Sequence, residues 1–377
     1  MVNTQSIQDL NNILKEFFLS EGFKYIEPSL VIKSDIYFET SGEQIRKDMF
    51  SVVSSKEEEM CLRPDLTIPT CQKFLEDNKK FDQAKLCYSG PIFRSSSASN
   101  SIELNQSGIE ILNMNSDNDG NYREEIETIN LAIKALRHID KEDIEINIGN
   151  ISLFIEFLSC LDLPQRWKDR LRRHFFRRDY FESLLKRIES GIGFNVIRKE
   201  DLLKTHLGID ANISDKDLNN LLANINPIEF GERSIEDIIR RLNIKSETII
   251  STEKGIEIAK TIREFLKIEC DLGKLSEAIL NFTNQKNINQ FASVIKMAST
   301  FSEKINQGLS NKNINFKTDF GHSIEYYDGI MFEVKDNKNK NKNSKMITGG
   351  RYDSLLLSLG LNNKASAIGF AVNNNNI

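Results

Sequence analysis

Short stretches of strand character crowd together in two parts of this chain and nearly vanish between them, a distribution that constrains the fold more than any other feature. Residues 85–88, 92–94, 102–106 and 109–112 follow one another closely, each rich in bulky apolar side chains. Strands this close in sequence favour antiparallel pairing, because a parallel crossover needs a dozen or more residues of connection. Strand character returns at 317–320, 323–327, 331–334 and 346–348. From about residue 151 to about 291 the candidates are helices separated by polar turns, among them 151–161 and 235–242. The expected architecture is α+β, an antiparallel sheet flanked by helices and interrupted by a helical insertion.

The flanking helices are legible from their period. Ile7, Leu10, Ile13, Leu14, Phe17 and Phe18 recur at helical spacing, with Thr4 and Ser6 as candidate caps and Gly22 as a stop. Residues 25–32 read as a strand broken by Pro28, which cannot donate to a sheet ladder and so suits an edge or an interface. Ile126, Ile129, Ile133 and Leu136 mark one face of a helix over 122–139, and Ile144, Ile146 and Ile148 then alternate as in a half-buried strand. At 377 residues the chain exceeds the usual single domain. The division expected is a core of 1–150 with 290–377, and a mostly helical insertion over 151–289.

Composition narrows the functional classes. The chain is 39% hydrophobic and 28% charged, ordinary for a globular protein, and it holds no apolar run of the roughly 18 residues a membrane span needs. The first residues show no basic segment followed by an apolar one, so a cytoplasmic location is expected. Five cysteines without C-x-x-C spacing, and four histidines far from them in sequence, argue against a zinc site and for reduced, inert thiols. A net charge of -5 argues against a nucleic-acid binder as a whole. Two local features stand apart. Residues 335–344 form an Asn- and Lys-rich tract suited to a solvated hairpin loop. In residues 166–178 seven cations interleave with Trp167, Phe175 and Phe176, which reads as an exposed helix or a protein contact, or else as an RNA-binding surface. No phosphate-loop pattern occurs.

Polar groups set among apolar strand residues supply the candidate chemistry. Asp65 and Thr67 lie two residues apart, so in an extended segment both point to one face and can hold an ammonium group; Pro64-Asp65 is equally a way to start a turn or cap a helix. Gln106, Gly108 and Glu110 alternate, which puts Gln106 and Glu110 on a shared face. Buried polar groups are costly unless paired, so this pair marks a ligand or a hydrogen-bond network. Tyr326 and Tyr327 are neighbours on a strand pattern, and one of them should face a pocket while the other packs. Gly349 and Gly350 permit close backbone approach.

Taken in order, these pieces resemble the core of the class II aminoacyl-tRNA synthetases over about residues 5–150 and 290–377. The resemblance is to histidyl-tRNA synthetase in particular, through Glu325-Tyr326-Tyr327-Asp328-Gly329, Gly349-Gly350-Arg351-Tyr352-Asp353 and Ala367-Ile368-Gly369-Phe370-Ala371. It implies that Asp65 and Thr67 hold the amino group of histidine, that Gln106, Glu110 and Tyr327 contact the amino acid beside Tyr326, and that Arg94 meets ATP phosphate. The departures are specific. Where that family has arginines, this chain has His322 and Asn376; the loop of residues 95–101 carries no cation, and with the sequence running to Ile377 no anticodon-binding domain is expected. An imidazole or an amide cannot reproduce a two-pronged guanidinium clamp on developing phosphate charge.

A synthetase-like chain with such losses resembles the regulatory subunits of ATP phosphoribosyltransferase, in the first step of histidine biosynthesis. That resemblance implies a protein with no catalysis, metal or cofactor of its own, partnered by a short-form catalytic subunit and dimerising through its first helix and the Pro28 strand. L-histidine would be the effector, held by Asp65, Thr67, Arg94, Gln106, Glu110, Tyr326 and Tyr327. The alternatives are a divergent histidyl-tRNA synthetase-like enzyme that activates an amino acid with ATP, and an RNA-binding accessory protein.

Overall fold

The computed structural model describes residues 6–40, 43–53, 58–78, 82–95, 101–114, 122–191, 250–284, 286, 288–310, 313–320, 326–338, 345–361 and 365–377. These residues form two compact units, one of residues 1–160 and 265–377, the other of residues 161–264. The expected insertion of 151–289 is therefore longer than the second unit: Ile151–Cys160 and the segment from Phe265 onward pack with the sheet-bearing unit. The physical reason is a ring cluster in which Phe157 stacks on Phe265 at 3.9 Å and on Phe291 at 5.7 Å between centroids.

The first unit runs α1 (Ile7–Ser20), β1 (Lys24–Tyr25), β2 (Val31–Lys33), α2 (Asp35–Thr40), α3 (Glu43–Asp48), β3 (Phe50–Val53), β4 (Glu59–Leu62), α4 (Thr67–Asp77), β5 (Gln83–Phe93), β6 (Glu103–Asn113), α5 (Arg123–His138), β7 (Ile144–Asn150) and α6 (Ile151–Cys160). In the second unit the described helices are α7 (Gln165–Arg173), α8 (Arg178–Glu189) and α9 (Thr252–Leu266), whose last residues return to the first. There follow β8 (Glu269–Asp271), α10 (Leu275–Asn284), α11 (Ala292–Gly308), β9 (Ile314–Lys317), β10 (Ile330–Asp336), β11 (Lys345–Arg351), α12 (Asp353–Ser358) and β12 (Ser366–Asn373).

Nine strands form one sheet in the order β1-β5-β6-β12-β11-β10-β7-β9-β8, and β2-β4-β3 form a small antiparallel one. The large sheet is mostly antiparallel, as expected, with β1–β5 and β7–β9 as parallel pairs near its two edges. Four short strand candidates merge into the long hairpin strands β5 and β6, which pair along their full length from Gln83–Asn113 to Phe93–Glu103. The segment around Pro28 splits instead: β1 joins the large sheet and β2 the small one, with Pro28 between them. Arg63 holds this break, donating from Nε to the Pro91 carbonyl at 2.8 Å and from Nη1 to the Pro28 carbonyl at 2.5 Å. β9 falls three residues before its expected place, because Thr318 turns its N–H and hydroxyl to the carbonyls of Ile268 and Phe265 and ends the strand.

Alternation then sorts the sheet into two faces. Ile109, Ile111, Ile368, Phe370 and Phe316 point one way and are buried under α1, α5 and α11, with Phe18 of α1 edge-on to Phe370 and Phe301 of α11 edge-on to Phe316, both at 5.8 Å. α1 forms as its period predicts. Ser6 caps it by accepting from the Asp9 N–H at 3.1 Å, and Gly22 takes φ +87° just past its end. On the other face lie Gln106, Gly108, Glu110, Gly369, Ala371, Asn373, Thr348 and Gly350, an unusual set of small and polar residues at the middle of a sheet.

The second unit is held by its own contacts. Trp167, Leu171, Phe175, Leu184, Leu185 and Ile188 are buried. Gly255 lets α9 approach α8 so closely that a Cβ there would stand 2.0 Å from the Ile188 carbonyl oxygen. Arg263 joins the same helices through Glu182 at 2.6 Å and Glu189 at 2.5 Å. The aromatics of the basic segment serve this core, so Trp167, Phe175 and Phe176 are not a stacking platform for bases. The expected helix at 235–242 lies outside the described residues.

Candidate functional site

Six of the seven expected site residues, Asp65, Thr67, Arg94, Gln106, Tyr326 and Tyr327, line one cavity of about 180 Å³, together with Ile45, Asp48, Lys345, Thr348, Ala371 and Asn373. The seventh, Glu110, stands behind the wall with 0% of its surface exposed. Strand register assembles the floor. Gln106 pairs with Asn373, Gly108 with Ala371 and Glu110 with Gly369 across β6 and β12, while Thr348 and Gly350 of β11 pair with Ala371 and Gly369.

Missing Cβ atoms make the room. One at Gly369 would lie 1.7 Å from Glu110 Oε2, one at Gly108 would lie 2.5 Å from the Tyr88 hydroxyl, and one at Gly350 would lie 2.9 Å from the Tyr327 ring. Into that space fit two hydroxyls that bind Glu110. Tyr88 donates to Oε1 at 3.1 Å, and Tyr352 donates to Oε2. Burial dominates and pushes the Glu110 carboxyl up to about 8, against the hydrogen bonds from Tyr352, Thr67 and Tyr88, which favour its charge.

Asp65 is not in an extended segment. It sits before α4, and its Oδ1 accepts from the Ile68 N–H at 3.1 Å, so the helix-capping reading describes the local backbone. Thr67 opens that helix and brings its hydroxyl to 3.5 Å from the Tyr88 hydroxyl. Asp65 Oδ2 and Gln106 Oε1 are buried without a hydrogen bond of ordinary geometry among the described residues, and so is the hydroxyl of Tyr37, which stands near enough to Asp65 to favour its charge. Burial pushes the Asp65 carboxyl up to about 6, and the capping bond and the nearby Arg94 pull the other way. Arg94 is anchored by its Nε on the Pro64 carbonyl at 2.8 Å. Buried acceptors in a cavity lining need donors, which the Tyr37 hydroxyl can supply to Asp65 and a ligand N–H to Gln106.

Tyr326 and Tyr327 precede β10 rather than lie on a strand, and their rings meet at 4.9 Å and 59°. Both line the cavity, where strand alternation would have sent one away. Asn376 lies in the short turn after β12 and donates to the Lys345 carbonyl at 2.9 Å. His322, residues 96–100 of the serine-rich loop and residues 339–344 of the Asn and Lys tract lie outside the described residues. Among the cysteines Cys61, Cys71 and Cys87 are buried, and burial pushes the Cys87 thiol up to about 12.

Sequence reasoning left Tyr88, Tyr352, Lys345 and Asn373 unassigned. A tyrosine in a strand is core by default, and its position opposite Gly108 emerges only from the β5–β6 register. The Gly-Gly-Arg-Tyr-Asp motif did contain Tyr352, the one available signal.

A family model described as histidyl-tRNA synthetase matches residues 2–191 and 214–377. A protein of Brucella anthropi named ATP phosphoribosyltransferase regulatory subunit is 27% identical over 355 residues, 92% of this chain and 90% of that protein. One of the same name from Brucella ovis is 25% identical over 379 residues, covering 99% and 96%. Among solved structures, an ATP phosphoribosyltransferase regulatory subunit/histidyl-tRNA synthetase from Bacillus halodurans aligns with TM-score 0.61 at 18% identity, over 100% of this chain and 80% of that one. A histidine–tRNA ligase subunit from Alicyclobacillus acidocaldarius aligns with TM-score 0.53 at 17% identity, over 98% and 90%. At these identities the two structures speak for the fold.

Proposed function

This chain belongs to the histidyl-tRNA synthetase family, and from that premise we propose that it is a non-catalytic regulatory subunit of ATP phosphoribosyltransferase that activates a short-form catalytic subunit and transmits feedback inhibition by L-histidine. The observation that carries the proposal is a cavity lined by the acceptors of Asp65 and Gln106, with Arg94 and Lys345 as the cations among its described lining residues, while two positions where the family has arginines hold Asn376 and His322. An ammonium group answers the first feature. The second weighs against a synthetase, because activating an amino acid spreads negative charge over phosphates that guanidinium groups must stabilise. At Asn376 a neutral amide binds a main-chain carbonyl instead, and His322 stands at the other arginine position in the sequence. The likeness along nearly the whole chain to proteins named as regulatory subunits supports the same reading.

In this mechanism histidine binds as an effector. Its ammonium meets Asp65, Thr67 and Gln106, and its imidazole approaches Tyr327, with Glu110 behind the wall holding the hydroxyls of Tyr88 and Tyr352. Binding changes the activity of the partner only in so far as histidine prefers one conformation of the complex. A cytoplasmic homodimer formed through α1 and the Pro28 segment is part of the proposal.

Mixing the purified chain with the short-form catalytic subunit of the same organism is expected to raise phosphoribosyl-ATP formation by about one to two orders of magnitude, and L-histidine is expected to reverse it. Absence of activation and of co-elution would overturn the proposal. Histidine-dependent exchange of pyrophosphate into ATP by the chain alone would favour an amino-acid-activating enzyme in its place.

A further inference from the structure

We infer that Lys345 is the cation that receives the carboxylate of the amino acid bound in this cavity, an assignment that rests on the effector reading above and adds the residue that separates a free amino acid from analogues lacking the carboxylate. Lys345 opens β11 and lines the same cavity as Asp65 and Arg94. Its main chain is pinned there, because its carbonyl accepts from Asn373 Nδ2 at 3.0 Å and from Asn376 Nδ2 at 2.9 Å. The side chain remains 40% exposed at the rim. The asparagine that replaces the expected arginine thus fixes the backbone of a lysine, and the lysine brings a positive charge to the wall.

The charge is also releasable. Lys345 Nζ rests 2.8 Å from Glu333 Oε2, while Lys335 Nζ holds the other oxygen of the same carboxylate at 2.6 Å. Burial opposes the Glu333 charge, but the two lysines together keep the carboxyl below its usual range. Two cations share one anion, so this cluster carries one positive charge in excess. When Lys345 turns toward a ligand, Glu333 keeps Lys335, and the cost of a buried, unpaired carboxylate does not arise. An α-amino acid carries its ammonium and carboxylate on one carbon, matching the carboxylate of Asp65 and the movable cation of Lys345 in the lining of one cavity. A nucleotide phosphate offers the same anionic chemistry, and affinity measurements separate the two sources.

The test is calorimetric titration of the full chain with L-histidine, L-histidinol and ATP. The parent is expected to bind L-histidine at least about tenfold more tightly than L-histidinol, the worth of a charge-assisted contact. Lys345→Met should erase that preference by weakening L-histidine alone. Lys345→Arg should retain it, which separates loss of charge from a defect of folding. Equal affinity of the parent for both compounds, or an unchanged preference in Lys345→Met, overturns the assignment and leaves the effector reading standing. Weakened ATP binding with L-histidine unaffected gives the cation to a phosphate and likewise overturns it. A parent that binds neither histidine nor histidinol overturns the effector reading and this assignment with it.

Discussion

Gly369→Ala is expected to destabilise the first unit by about 3 kcal/mol, the upper part of the range for overpacking a filled interior. The new Cβ would stand 1.7 Å from Glu110 Oε2 and 2.3 Å from the Ile109 carbonyl oxygen. Neither atom can retreat cheaply. Glu110 is held by Tyr88 and Tyr352 on its two oxygens, and Ile109 lies within the central β6 strand paired on both sides. Thermal unfolding should move down by roughly 10 °C. Because part of the collision is with a side chain, combining Gly369→Ala with Glu110→Ala should cost less than the sum of the two single changes, by about 1 kcal/mol or more in a double-mutant cycle. Additive costs would mean that strand separation alone absorbs the methyl group.

Glu110→Gln is expected to remove a large pH dependence of stability. The Glu110 carboxyl is pushed from its usual 4.5 to about 8 in the folded protein, chiefly by burial. Between those values the folded state holds a proton that the unfolded chain has released, so stability falls as pH rises through this window. The contribution is fully present below the unfolded value and lost above about 8. Glutamine stays neutral throughout and keeps an acceptor for a tyrosine hydroxyl. Denaturant unfolding of parent and variant at about pH 5 and about pH 9 should therefore shift in favour of the variant by on the order of 3 kcal/mol. A difference that stays constant with pH would show that Glu110 ionises in the folded state near its ordinary value. The comparison isolates Glu110, because Asp65, raised to about 6, is common to both proteins.

The site was partly legible. Alternation put Gln106 and Glu110 on one face of a strand, and the β6–β12 register places them there, with Gln106 at the cavity and Glu110 behind it. The same rule failed at Tyr326 and Tyr327, because those residues lie in a turn where no two-residue period applies. Asp65 reached the cavity lining by a route the extended reading did not foresee, at the start of α4 with one oxygen on the Ile68 N–H.

By itself the sequence determined the local periods: the apolar stripe of α1, the alternating faces of β6 and β12, the glycines that let side chains occupy the sheet's centre. Periodicity is a property of neighbouring residues and needs no partner to be read. Only the tertiary structure decided what meets across strands distant in the chain. It brought Tyr88 and Tyr352 onto Glu110, Asn376 onto the Lys345 main chain, and Lys335 and Lys345 onto one carboxylate. Those meetings depend on register between segments up to hundreds of residues apart, and register is fixed by the packing of the whole sheet.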